Sequence, residues 1–118
     1  GLRSRSSPVW VGEFGALAKV ENYLAYNRDI IELFEEFGLS WTYWHYKNLR
    51  GRPDTQALYH MDQSNLFLQL TSDAAGVEQR FTAMTPAEEA MLLQGLETSR
   101  MVLKEELRQL LHQAFARN

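Results

Sequence analysis

An α/β fold built on a parallel strand pair is predicted, and three observations predict it. Val9-Trp10-Val11 has strand-forming character and runs into a glycine-flanked carboxylate, Gly12-Glu13-Phe14-Gly15. A one-sided helical stripe follows, closed by Gly38. A second β-branched and aromatic run, Leu39 to Tyr46, begins straight after that glycine. Strand, helix, strand in this order implies a right-handed crossover, with both carboxyl ends on one edge of the sheet.

Residues 1–7 form a polar lead-in, and Pro8 is tolerated at the first position of a strand covering Val9 to Glu13. Val, Trp and Val suit a buried, pleated strand. Alternation puts Val9, Val11 and Glu13 on one face, Trp10 and Gly12 on the other. The two glycines mark where the strand loses regularity and something can approach the backbone closely. Glu13 therefore stands at the carboxyl end of the strand, where parallel α/β sheets bind ligands.

The helix runs from about Asn22 to Phe37. Its stripe is Leu24, Asn27, Ile31, Phe34 and Phe37 or Gly38, widened by Ile30 and Leu33, with Arg28, Asp29, Glu32, Glu35 and Glu36 opposite. In the second strand, Thr42, Trp44 and Tyr46 share one face and Trp41, Tyr43 and His45 the other. Parallel pairing makes Glu13 and Trp44 neighbours in space.

Lys47 to Asp62 is turn-rich and reads as a long loop above the sheet edge. Leu66 to Leu70 reads as a small strand or a loop segment packed down, and residues 71–84 as irregular. Thr85-Pro86-Ala87-Glu88 is a capping box with proline at the first helical position. The helical pattern then runs to about Phe115, broken near Gly95 and Thr98-Ser99 into Pro86–Leu96 and Arg100–Phe115. Leu103, Leu107, Leu110, Leu111 and Ala114 make the stripe of the second part.

At 118 residues there is room for one domain. The formal charge of -3 gives no broad basic surface, which argues against nucleic acid as a partner. Without cysteine there is no thiolate nucleophile or ligand. No apolar run reaches the roughly 18 residues that span a bilayer, so no membrane is expected. The start of the chain lacks the apolar core of a secretory signal. Aromatics cluster between Trp10 and Tyr59, a pattern that suits a core or the flat faces of sugar rings. His45, His60 and His112 lack metal-ligand spacing, and Glu88-Glu89 is explained by helix capping.

Pro8-Val9-Trp10-Val11-Gly12-Glu13-Phe14-Gly15, followed by Gly38-Leu39-Ser40-Trp41-Thr42-Tyr43-Trp44-His45-Tyr46-Lys47, closely resembles the last quarter of a family 5 glycoside hydrolase. These are retaining enzymes of the cellulase and β-mannanase group on (β/α)₈ TIM barrels. The resemblance is specific over about residues 8–50 and loose afterwards. It implies that residues 1–118 are a partial barrel, the last two β/α units with an extra C-terminal helix, from a catalytic domain cleaving β-1,4-linked polysaccharide. By resemblance, Glu13 is the nucleophile and Trp44 the aromatic floor beside the cleaved sugar. Lys47 and Asn48, which follow that Trp, could hydrogen-bond sugar hydroxyls or form a solvated loop. No metal or other cofactor is implied, and secretion is.

Retaining hydrolysis needs two carboxyl groups about 5–5.5 Å apart, one attacking the anomeric carbon and one protonating the leaving oxygen. The family's acid/base follows Asn and precedes Pro; no Asn-Glu-Pro occurs in this sequence. Asp54 and Glu78 are replacement acids only by residue type. A complete barrel takes about 250 residues, so the expected partners are a polysaccharide or oligosaccharide and either the missing barrel portion or further copies of the chain. The alternative is a non-catalytic truncated module that self-associates or binds saccharide weakly.

Overall fold

The computed structural model describes residues 8–117; the lead-in at residues 1–7 lies outside the described residues. Trp10–Phe14 (β1) and Ser40–Tyr43 (β2) are parallel neighbours, and the helix Tyr23–Glu36 (α1) connects them. The second strand is shorter than Leu39–Tyr46, because the chain leaves the ladder after Tyr43.

The helix α1 ends as its glycine predicts. Gly38 takes the left-handed conformation (φ 63°), Gly38 N–H donates to Glu35 O (3.1 Å) and Leu39 N–H to Phe34 O (2.8 Å). These two bonds are a Schellman closure, satisfying carbonyls that the helix end would leave open and turning the chain directly into β2. Ile31 of α1 packs with Leu107, Leu111 and Ala114 of the last helix, Glu105–Ala116 (α5). Phe14, Leu24, Trp41, Tyr43, Leu58 and Leu110 pack against that cluster. Burying a leucine such as Leu107 fully contributes about 1.5–3 kcal/mol. Leu33 and Phe37, at the edges of the expected stripe, are exposed.

The pairing register corrects the expected alternation. Val11 lies opposite Trp41 and Phe14 opposite Tyr43, so β1 takes three steps where β2 takes two. The extra residue is a bulge. Phe14 therefore faces the helices with Val11, meeting Phe34, Trp41 and Tyr43 edge-on at 5.1–5.4 Å. Glu13, expected on the face of Val11, sits instead in the bulge and is exposed. Trp10 is not buried as its strand propensity implied; it is 67% exposed.

Residues 44–104 form an excursion between β2 and α5. The expected long loop at 47–62 contains two short strands, Lys47–Asn48 (β3) and Tyr59–His60 (β4), which pair in parallel. Val102–Leu103 (β5) pairs antiparallel with β4 and completes a three-stranded sheet. Leu66–Leu70 is a helix (α2), not a strand, and starts from Asn65, whose Oδ1 accepts from Phe67 N–H (2.9 Å). Val77–Thr82 (α3) lies in the stretch expected to be irregular.

Pro86–Gly95 (α4) starts at the capping box, with Glu88 N–H donating to Thr85 Oγ1 and Thr85 N–H to the Glu88 carboxylate. The next helix begins at Glu105 rather than Arg100, because 98–100 is a 3₁₀ turn and 102–103 a strand. Of the two long helices after β2, α5 packs on α1 and α4 packs on α2. The helix α4 buries Leu92 alone and exposes Met91 and Leu93, whereas α5 has a one-sided stripe fit for a sheet-side position.

The molecule measures 59 × 29 × 24 Å, with a radius of gyration of 18.5 Å. A compact domain of this length would have about 13.5 Å. Its accessible surface is 8238 Å², against about 6,600 Å² for a compact monomer of its mass. Among the described residues, no helix is long and apolar enough to cross a membrane.

Candidate active site

The carboxyl ends of β1 and β2 meet through one backbone bond: Trp44 N–H donates to Phe14 O at 2.8 Å. Glu13 immediately precedes that acceptor and Trp44 supplies the donor. The two residues singled out by sequence are thus brought to one sheet edge, one on each strand tip. The Glu13 side chain makes no hydrogen bond or ion pair with any described residue. Trp44 is 46% exposed, and its ring lies 5.1 Å from that of His45, tilted by 34°. The peptide between Trp44 and His45 is cis.

Gly15 is required by this junction. A Cβ there would stand 2.6 Å from the Trp44 carbonyl oxygen and 3.2 Å from the Tyr43 ring. What approaches the Gly15 backbone closely is therefore the neighbouring strand tip. Gly12 has no such neighbour; the ring of Trp10 lies at ordinary contact distance over it. Trp10 Nε1 donates to Thr42 Oγ1 (3.1 Å), which fixes the indole on the open face of the sheet. This second exposed indole escaped the sequence reading, although a tryptophan two residues before a glycine has room to lie flat along its own strand.

The loop after β1 is pinned from below. Asn27, fully buried on α1, accepts from Ala16 N–H at 3.2 Å through Oδ1, while its Nδ2 has no partner among the described residues. An unpaired buried amide costs about 1–3 kcal/mol, so Asn27 trades stability for holding the turn that follows Glu13.

The excursion is tied to the same edge. Tyr43 Oη donates to Gln56 O (2.7 Å), and burial pushes this phenol well above its usual range. Leu58 N–H donates to His45 O and Tyr59 N–H to Tyr46 O, both at 2.9 Å. Lys104 Nζ donates to Thr55 O, its ammonium pushed down by burial.

Lys47 and Asn48 are both engaged elsewhere. Lys47 Nζ donates to Leu96 O (2.8 Å), and Asn48 Oδ1 accepts from Arg50 N–H (2.7 Å) in its own turn. Asp54 forms an ion pair with Arg52 at 2.9 Å, and hydrogen bonding from that guanidinium holds its carboxyl below the usual range. Glu78 lies in the first turn of α3. His60 is buried with Nδ1 3.2 Å from Met61 O, a core contact. Among the described residues, no three His, Asp or Glu side chains group to hold a metal ion.

Adjacent strand tips thus carry an exposed carboxylate and an exposed indole; a carboxylate is able to attack an electrophilic carbon, and an indole face to stack on a sugar ring. Proton transfer to a leaving group needs a second carboxyl, about 5–5.5 Å from the first. Compared with protein-family models, curated proteins and solved structures, the chain matches none.

Proposed function

We propose that this chain is the carboxyl-terminal part of a retaining β-glycanase that cleaves β-1,4-linked glucan or mannan by double displacement. Glu13 attacks the anomeric carbon as the glycosidic C–O bond breaks, and the leaving oxygen takes a proton from a carboxylic acid on the remaining barrel strands. Water, deprotonated by that same group, then attacks the anomeric carbon and releases Glu13. Trp44 offers its face to the sugar and excludes water from one side. Lys47 and Asn48 are held at the rim by Leu96 O and Arg50 N–H, and their remaining donors can meet sugar hydroxyls. The observation that carries the reading is the 2.8 Å bond joining Trp44 N–H to Phe14 O across parallel strand tips.

Co-expression with a polypeptide supplying the first six β/α units of a β-1,4-glucanase tests it. Turnover of a chromogenic cellobioside is expected, together with a 2-deoxy-2-fluoro-glycosyl adduct on the peptide carrying Glu13. Glu13→Gln should remove both. Turnover that survives Glu13→Gln, or an adduct elsewhere, sinks the assignment.

A second, non-catalytic reading is favoured by the open face around Trp10 and by the excess accessible surface. In it the chain self-associates through this face and binds saccharide only weakly. Light scattering on the purified chain decides: a monomer with a cooperative melt rules out self-association.

A further inference from the structure

The excursion holds a groove of about 370 Å³ between α2, α4 and the turn at 98–100, within the size range of small-ligand clefts. Asp62, Gln69, Gln94 and Arg100 line it, with Leu66 and Met91 as apolar surface. Several of these groups are already oriented. Asp62 Oδ1 accepts from Ser64 N–H (2.9 Å) and Oγ (2.5 Å), which holds the carboxylate below its usual range and leaves Oδ2 open. Gln69 Nε2 donates to Ser64 O (3.2 Å), leaving its carbonyl oxygen to accept. The side chains of Gln94 and Arg100 have no partner among the described residues.

One carboxylate and one guanidinium balance in charge, and planar amides supply both donors and acceptors. Met91, 60% exposed, adds a soft apolar contact for the C–H face of a ring. That combination fits an uncharged polyol better than an anion or a peptide. The excursion carrying it grows from the strand tip that holds Trp44 and is tied back to it at His45, Tyr46 and Tyr43.

We infer that this groove is a second saccharide subsite, taking one unit of an uncharged β-linked glycan on residues separate from Glu13 and Trp44. The ligand class rests on the β-glycanase reading above; the groove's own chemistry favours a neutral polyhydroxylated ligand.

Calorimetric titration of the full chain with cellopentaose and with mannopentaose tests the inference. The double variant Gln94→Ala/Arg100→Met should weaken binding about tenfold, the loss of two or so hydrogen bonds, while Trp44→Ala retains measurable binding. Gln69→Ala, a milder exposed change, should weaken it less, and thermal melts confirm that each variant folds. Unchanged affinity in the double variant overturns the subsite, as does absence of binding by both oligosaccharides at millimolar concentration. A loss confined to Trp44→Ala removes the groove from the account and leaves the catalytic reading standing. Failure of that reading shows separately, in the Glu13→Gln turnover.

Discussion

In β1, α1, β2 and α5 the contacts are apolar: Ile31 meets Leu107, Leu111 and Ala114, and Phe14 meets three aromatic rings. In residues 44–104 the buried apolar side chains are Ala57, Met61 and Leu92. There the chain is tied instead by side chains donating to backbone carbonyls. Arg80 reaches Leu70 O and Ala75 O at 2.8 Å and also Asp73 O; Lys47 reaches Leu96 O; Asn65 Nδ2 reaches Gly95 O at 2.9 Å. The sheet half is held by burial and the excursion by directional polar bonds. Burial is non-directional and tolerates redistribution, whereas each polar tie fixes one loop in one place.

That contrast can be broken from either side. Leu107→Ala should cost most, about 2–5 kcal/mol, because the side chain is fully buried and the two-helix seam has little else to collapse into it. Denaturant titration followed by tryptophan fluorescence reads the loss; a change under 1 kcal/mol would mean the seam contributes far less than its burial implies. Arg80→Ala should cost less, about 1–3 kcal/mol, through the carbonyls it leaves. Amide exchange should accelerate across Leu70–Thr82 while the α1–α5 amides hold steady. A uniform acceleration would instead show that the two regions unfold as one.

The smallest effect is a pH dependence of α4. Bonds from Thr85 N–H and Oγ hold the Glu88 carboxyl below its ordinary value of 4.5. A depressed carboxyl contributes stability that is fully present above the unfolded value and lost as pH falls through the folded one. First-turn amides of α4 should therefore lose protection below about pH 4.5, and Glu88→Gln, which keeps the capping geometry without the titrating carboxyl, should flatten that response. Persistence of the response in Glu88→Gln would place its origin elsewhere.

The same contrast explains what could be read from the chain. The helix α1, its glycine closure at Gly38 and the capping box at Thr85 were legible, because each is written in residues close in sequence. The parallel pair followed from the order of elements. Gly12 marked where the strand loses regularity, but the two-for-one register of the bulge was not legible, since it exists only against β2. It moved Glu13 off the Val11 face and Phe14 onto it. The helices α2 and α3 are too short to show a period, although Asn65 carried a capping signal that passed unread. The strands β3, β4 and β5, two residues each, are defined by partners far along the chain. Of the candidate site, the placement of Glu13 and Trp44 on adjacent strand tips was legible from the parallel pairing; the ties on Lys47 and Asn48 depend on partners that only the fold supplies.

The short strand β4 is flanked by β3 on one side and β5 on the other. The segment between β4 and β5, which pair antiparallel, therefore leaves and returns within one ladder spacing, about 5 Å. A segment whose ends sit that close can be lifted out and replaced by a different graft without shifting α5 on α1. Evolution, or an engineer, could exchange residues 62–101 as a cassette and change what surrounds the strand tips, while Leu58 stays packed on the α1–α5 cluster beneath.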